Sequence, residues 1–361
     1  MAKRSCIEML KGVRRSIHDS RIAIRNFMRW LLKGMKNTWM ELPASVNSLR
    51  FWAVSFRGLV SILSLVGLIA IPLLSGSEYY IQILTLAMIY AIYAASWDLL
   101  AGFVGQVSFG HALFFGIGGY ITAASIKYRG VHWLFSLALG AIVAVLFSIL
   151  IGIPCLRLKG PYLALGTLAF SLILFNLFSM GTFLGGTEGI SGIPRIAEPV
   201  PSFFINLGFM IVSIVLMQVV VRSKTGTVFK SIRDDETCAE ASGINTTKYK
   251  IAAFMISGFF AGIAGSLFAL NLTAINPAVF QPLYSFYVII MASIGGIGTI
   301  TGSIIGSFLF VILSEILRPL AAAAMLIFAT ILILIIRFAD EGVTNPLLER
   351  LQDVYDMIRR R

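Results

Sequence analysis

Apolar runs close to the ~20 residues that a membrane-spanning helix needs recur along this chain, and that repetition narrows the fold before any motif is read. They lie at 58–74, 79–97, 134–153, 161–180, 203–221, 251–270, 283–294, 303–317 and 320–336. A glycine-rich stretch at 107–126 brings the candidates to ten, and because some are short or interrupted the count runs from nine to eleven. Charged residues make up 13% of the chain and hydrophobic ones 58%, whereas a water-facing domain carries about 25% charge. The expected fold is all-α, a polytopic helical membrane protein of about ten transmembrane helices.

Charge predicts orientation. Residues 1–57 hold twelve Lys/Arg against Glu8, Asp19 and Glu41, which is nine of the chain's +12. Lys and Arg collect on the cytoplasmic side, so the N-terminus is expected inside. Counting spans then puts the polar segment 222–250, with six Lys/Arg, and the tail ending Arg359-Arg360-Arg361 on the same side. Lys127 and Arg129 fall outside and are the exception. Residues 1–57 have no uninterrupted apolar stretch of the signal-peptide kind. They read as an inner-leaflet amphipathic helix or as a solvated basic extension. Nucleic-acid binding is the weaker use of that charge, since a membrane already accounts for it. The expected layout is a basic cytoplasmic extension over 1–57, a transmembrane domain over 58–337 containing the cytoplasmic loop 222–250, and a cytoplasmic tail over 338–361.

Several function classes fit poorly. The runs at 134–153, 161–180, 203–221 and 251–270 contain no Asp, Glu, Lys, Arg or His, so a proton relay of the kind ion-driven transporters use has few members. Asp98 and His111 are the titratable side chains well inside a span. Arg-rich voltage-sensor helices and a TVGYG filter are missing, as is the phosphate-binding GxxxxGK[ST] loop. If ATP drives this protein, another subunit hydrolyses it. Cys6, Cys155 and Cys238 lack CxxC spacing and read as free thiols; His18, His111 and His132 are too scattered for a metal cluster. No cofactor, metal or catalytic residue is expected.

The stretch "GQVSFGHALFFGIGGY" (105–120) places glycines at 105, 110, 116, 118 and 119 beside Gln106, Ser108 and His111. Small residues let membrane helices approach closely, and broken helices are tolerated where they line protein or a water-filled cavity. Two readings stand and can coexist: a close-packed helix seam, or the wall of a path for solute. A similar run, "GGIGTITG" (295–302), hints at a duplicated half. "DDETCAEASG" (234–243) reads as a short helix with acids in its first turn, where they suit the dipole, closed by Gly243.

The sequence "DLLAGFVGQVSFGHALFFGIGGYITA" resembles the signature of the inner-membrane permeases of branched-chain amino acid ABC transporters, the M-type subunit in particular. "LRLKGPYLALGTLAF" (156–170), "LGGTEGISGIP" (184–194), the segment 231–269 and "PAVFQPLYSFYVIIMASIGGIGTITGSIIGS" (277–307) are similar to later motifs of that family, in order, over about residues 79–318.

That resemblance implies a permease subunit of an ATP-driven importer in the inner membrane, with both termini cytoplasmic. It would pair with a second homologous permease, two cytoplasmic ATPase subunits and an extracytoplasmic substrate-binding protein, among membrane lipid. Leucine, isoleucine and valine are the implied substrates; relatives import urea, short amides or other amino acids. Asp98, Gly105, Gln106, Ser108, Gly110, His111, Gly116, Gly119, Tyr162 and Thr167 become candidates for the translocation path. Asp235, Glu236, Ala239 and Gly243 become candidates for coupling to the ATPase, and Gly185, Gly186, Thr187 and Glu188 for an external loop facing the binding protein. Asp98 stands where the family more often has Asn. A self-sufficient secondary transporter or channel is the more remote alternative.

Overall fold

The computed structural model describes residues 77–320 except 157, 159, 182 and 183, with isolated positions at 326, 327, 330 and 333. The basic N-terminal region, the span expected at 58–74, almost all of that at 320–336 and the tail lie outside the described residues.

The described chain is helical, as it must be where lipid offers no partner for backbone N–H and C=O groups. Its α-helices are α1 Glu78–Val104, α2 Ala112–Arg129, α3 Trp133–Cys155, α4 Pro161–Met180, α5 Pro199–Arg222, α6 Lys224–Asp234, α7 Glu236–Ala241, α8 Thr246–Leu272, α9 Pro282–Gly295 and α10 Ile300–Ile316. Five of them, α1, α3, α4, α5 and α8, are long and apolar enough to cross a membrane. Where the sequence counts two separate spans at 283–294 and 303–317, α9 and α10 are bent by 115° across a short break, as a broken span or a re-entrant loop. Gly296 (φ 101°) and Gly298 (φ 83°) make that bend possible, because only glycine takes such backbone angles without a Cβ penalty.

Burial separates the helices into two sets. In the most apolar windows of α1 and α8, 83% and 78% of residues are buried inside the protein, against 28–39% for α3, α4 and α5. α2 is buried along most of its length. Thus α1, α2 and α8 form the interior and the other spans present wide apolar faces outward, where lipid replaces the missing core.

Small residues draw the interior together. A side chain at Gly118 would strike the Gly262 backbone (Cα 2.6 Å away), and one at Gly140 would lie 2.6 Å from Gly118 O. Helices α2, α3 and α8 therefore touch backbone to backbone. Hydroxyls fasten the seam: Thr122 Oγ1 donates to Ser266 Oγ at 2.8 Å, and Ser266 Oγ bonds Gly262 O at 2.8 Å.

At the end of α8 remote from α6 and α7, a two-residue antiparallel ladder pairs β1 (Ile190–Ser191) with β2 (Ala274–Ile275). Thr273, between α8 and β2, has φ 56°, a strained conformation for a β-branched residue. Its carbonyl accepts from Ile193 N–H at 3.1 Å, so the ladder and this bond hold it there.

Candidate translocation path and coupling surface

Helix α1 ends at Gly105 (φ 75°), where Gly105 N–H bonds Ala101 O and Gln106 N–H bonds Leu100 O. The six residues that follow are not helical, and their backbone is satisfied by side chains from three helices. Trp97 Nε1 on α1 donates to Ser108 O at 2.8 Å. Thr167 Oγ1 on α4 accepts from Phe109 N–H (3.2 Å) and Gly110 N–H (3.3 Å). Ser285 Oγ on α9 accepts from Ala112 N–H at 3.0 Å. A break deep in a membrane protein is permitted on those terms.

His111 closes this break and is completely buried. Its Nε2 lies 3.0 Å from Ser96 Oγ, whose own proton goes to Tyr93 O at 2.7 Å, so the imidazole is the donor of that pair. The ring stacks on Tyr93 with centroids 5.4 Å apart. His111 is built into the packing of α1 on α2.

The structure places the glycines of the 105–120 stretch against protein. Gly110 abuts the Thr167 carbonyl and lies 3.1 Å, from where its Cβ would be, to Leu168 N. Gly116 abuts the Phe280 ring, and Gly119 abuts Ile275 and, at 2.8 Å, Gly265 O. Of the two readings of this stretch, the described contacts are those of a close-packed seam. Asp98, Ser108 and Thr167 are likewise buried, whereas Gly105 is exposed, Gln106 half-buried and Tyr162 exposed on the first turn of α4.

A cavity of about 230 Å³ opens between α1, α5 and α8, at the end that carries the β-ladder. Gln82, Thr85, Arg195, Ser202 and Asn271 give it polar groups and Ile81 and Phe268 apolar ones. None of the predicted path residues lines it. Its polar wall is largely tied to itself: Ser202 Oγ donates to Asn271 Oδ1 (3.0 Å), and Asn206 and Asn271 exchange amide hydrogen bonds of 3.2 and 3.1 Å.

The segment 222–250 is more ordered than a polar loop. It holds α6, α7 and the first turn of α8, with Asp234 as the last residue of α6 and not in the first turn of the short helix. Asp235 is the N-cap of α7: its Oδ1 accepts from Thr237 N–H (2.8 Å) and Cys238 N–H (3.0 Å). Bonds from Cys238 and Thr237 hold the Asp235 carboxyl below the usual carboxylate range, and the same contact raises the Cys238 thiol. At the other end Gly243 (φ 82°) donates to Glu240 O and Ile244 N–H to Ala239 O, the two bonds of a Schellman termination.

Helix α7 is also clamped to α8. Glu236 pairs with Lys250 at 2.6 Å, Thr246 Oγ1 donates to Glu240 at 2.6 Å, and Ala239 is buried beneath. Its remaining face, with Thr237, Cys238 and Ala241, is exposed. At the opposite end of the protein, Gly185, Gly186, Thr187 and Glu188 form a short 3-10 turn. Gly189 fits directly against Asn276 (2.5 Å from where its Cβ would be), and Lys127 Nζ donates to Ser191 O at 2.8 Å.

Asp98 and Arg233, the second of which motif reading passed over, complete the end that carries α6 and α7. Asp98 Oδ1 accepts from Gly298 N–H at 2.6 Å, and Arg233 of α6 donates to Gly102 O at 2.8 Å. Gly102 and Gly298 touch so closely that a Cβ at Gly102 would lie 2.8 Å from Gly298 Cα. No local pattern signals this meeting, because its members are about 130 to 200 positions apart in the chain.

Comparison with known proteins fits this architecture. The family described as branched-chain amino acid transport system / permease component matches residues 79–336. The high-affinity branched-chain amino acid transport system permease proteins LivM of Salmonella typhimurium and Escherichia coli are each 28% identical over 303 residues, covering 74% of this chain and 71% of theirs. BraD of Pseudomonas aeruginosa, a permease protein of the same description, is 24% identical over 255 residues, 63% of this chain and 81% of its own. No solved structure matches the chain. With a match that takes in every helix described above, the chain belongs to the branched-chain amino acid transport permease family, as a multi-pass, non-enzymatic subunit of an ABC-type transporter.

Proposed function

We propose that this chain is the M-type permease of an ATP-driven importer for leucine, isoleucine and valine. It pairs with a second permease, receives substrate from an extracytoplasmic binding protein and is driven by two ATPases on the inner side of the cell membrane. Both termini and α6–α7 face the cytoplasm in this reading, as the Lys/Arg distribution requires.

One observation carries it. Helix α7 is a six-residue element capped at both ends, clamped to α8 through Glu236–Lys250, with its other face exposed. A soluble loop has no need of such a mount; a lever pushed by a partner does. The names of the LivM and BraD relatives support the substrate class, while the exposed turn at 185–188 suits contact with a delivering protein.

The test is reconstitution. The chain, its partner permease, the ATPases and the binding protein are placed in liposomes with ATP inside, and radiolabelled leucine, urea and acetamide are offered in turn. ATP-dependent leucine uptake that needs every component is the expected result. Uptake by this chain alone along an ion gradient would overturn the reading, and ATP-dependent uptake of urea or acetamide in place of leucine would reassign the substrate.

A further inference from the structure

We infer that Arg233, acting with Asp98, is the strut that carries movement of α7 into the two glycine-rich breaks of the membrane domain; this rests on α7 being the surface the ATPase engages. Arg233 sits in the last turn of α6, two residues before the cap of α7. Its guanidinium reaches 2.8 Å to Gly102 O, in the last turn of α1, where exposed carbonyls and the helix dipole favour a cation. Its stem runs past Gly105, lying 3.2 Å from where a Cβ would stand, and its Nη1 lies 3.2 Å from the corresponding point at Gly298. Arg233 thus touches the residue that opens the first break and one inside the second.

Asp98 ties the two breaks together from within. It is completely buried, one turn before Gly102, and holds Gly298 N–H at 2.6 Å. Gly298 lies between α9 and α10 where they bend by 115°. The Gly102 and Gly298 backbones pack directly on each other, with the Asp98 carboxyl beside them, so a shift of one presses on the other. Around this point Lys230 of α6 lies over the Phe103 ring of α1 at 5.9 Å, and Phe229 and Ile232 of α6 are buried, Phe229 against Tyr249 of α8. Those contacts are apolar or diffuse, whereas Arg233 makes a directed bond to Gly102 O. A charge-assisted bond of that kind holds a geometry that packing alone does not.

The complete transporter with Arg233→Ala is compared with native and with Arg233→Lys, reading co-purification of the ATPases, leucine uptake and molecules imported per ATP hydrolysed. Arg233→Ala should keep the ATPases bound but lower import per ATP by about tenfold or more, the factor for losing one charged hydrogen bond. Arg233→Lys, a point charge able to reach the same carbonyl, should restore part of it. Asp98→Leu, which removes the acceptor for Gly298, should lower the same ratio. Native import per ATP in Arg233→Ala overturns the inference, as does a loss explained wholly by ATPases that no longer co-purify. If Asp98→Leu does not reach the membrane, the Ala and Lys arms at 233 decide alone. Should Glu236→Lys and Gly243→Val leave ATPase binding and import untouched, the docking role of α7 fails, a result separate from either arm at Arg233.

Discussion

Glu236 of α7 and Lys250 of α8 form an ion pair of 2.6 Å in which the lysine side chain is only 9% exposed. Glu236 also faces Thr246 Oγ1 at 3.4 Å. The glutamate side chain is 38% exposed, so the pair ties the short helix to a membrane span through a lysine held in the protein and a carboxylate at its surface.

Reversing one charge puts a second cation beside the nearly buried Lys250 ammonium group. Glu236→Lys should release α7 from α8 and lower leucine uptake about tenfold while the permease remains in the membrane, since the nearly buried Lys250 then loses its partner and faces a like charge. The exchange Glu236→Lys with Lys250→Glu should recover much of the loss. Uptake by the single and the double variant at the same low rate would show that the pair is not what matters.

Gly243 stands in open space: nothing lies within 4 Å of where its Cβ would be, but its φ is 82°. Replacement is therefore limited by backbone conformation alone. Gly243→Val should cost roughly 1–2 kcal/mol of local stability at the termination and depress uptake. Gly243→Asn, which tolerates the left-handed region better, should stay close to native. Equal behaviour of the two in an uptake assay would rule out the cap as the cause.

Gly110 and Gly116 face different neighbours. The obstacle at Gly110 is backbone at Thr167 and Leu168; at Gly116 it is the Phe280 ring, itself packed on Phe178 at 4.9 Å. Leucine at either site should lower the melting temperature in detergent as well as uptake, overpacking costing about 1–3 kcal/mol. Gly116→Leu should be partly rescued by Phe280→Ala, while Gly110→Leu has no side chain whose removal makes room. Native thermal stability with lost uptake would restore the path-wall reading for these two positions.

Asp98 serves Gly298 through one oxygen, Oδ1. An amide supplies the same acceptor, so Asp98→Asn should import within about twofold of native and remain ATP-dependent, whereas Asp98→Leu leaves the half-buried Gly298 N–H without this acceptor, at about 1 kcal/mol or more. Uptake rates of the two variants across pH check this. A changed pH profile in Asp98→Asn would mean that the carboxyl carries a proton.

The sequence was most informative where chemistry is local. Apolar length marked α1, α3, α4, α5 and α8; Pro161 marked the start of α4, and Gly243 the end of α7. Glycine content flagged the 105–120 stretch but not its partners, because a seam depends on which backbone lies opposite. Gly118 needs Gly262 and Gly116 needs Phe280, and nothing in a single chain's order announces those pairings. Arg233 escaped notice for the same reason, as one basic residue among the six of a segment where basic residues are expected anyway. The α9–α10 bend was hidden because two short apolar runs with glycines between them look alike whether they cross or turn back.

Helix α8 runs 27 residues without interruption, about 40 Å at the usual rise. One tip is gripped by the Glu236–Lys250 clamp and the other by the two-residue ladder to Ile190 and Ser191. A stiff rod held at both tips cannot absorb a tilt along its length, so a change of angle at one face is written at the other. In the proposed importer a single mechanical part would then link the opposite faces of the membrane domain, and an event on one side would set the timing on the far side with no solute having moved between them.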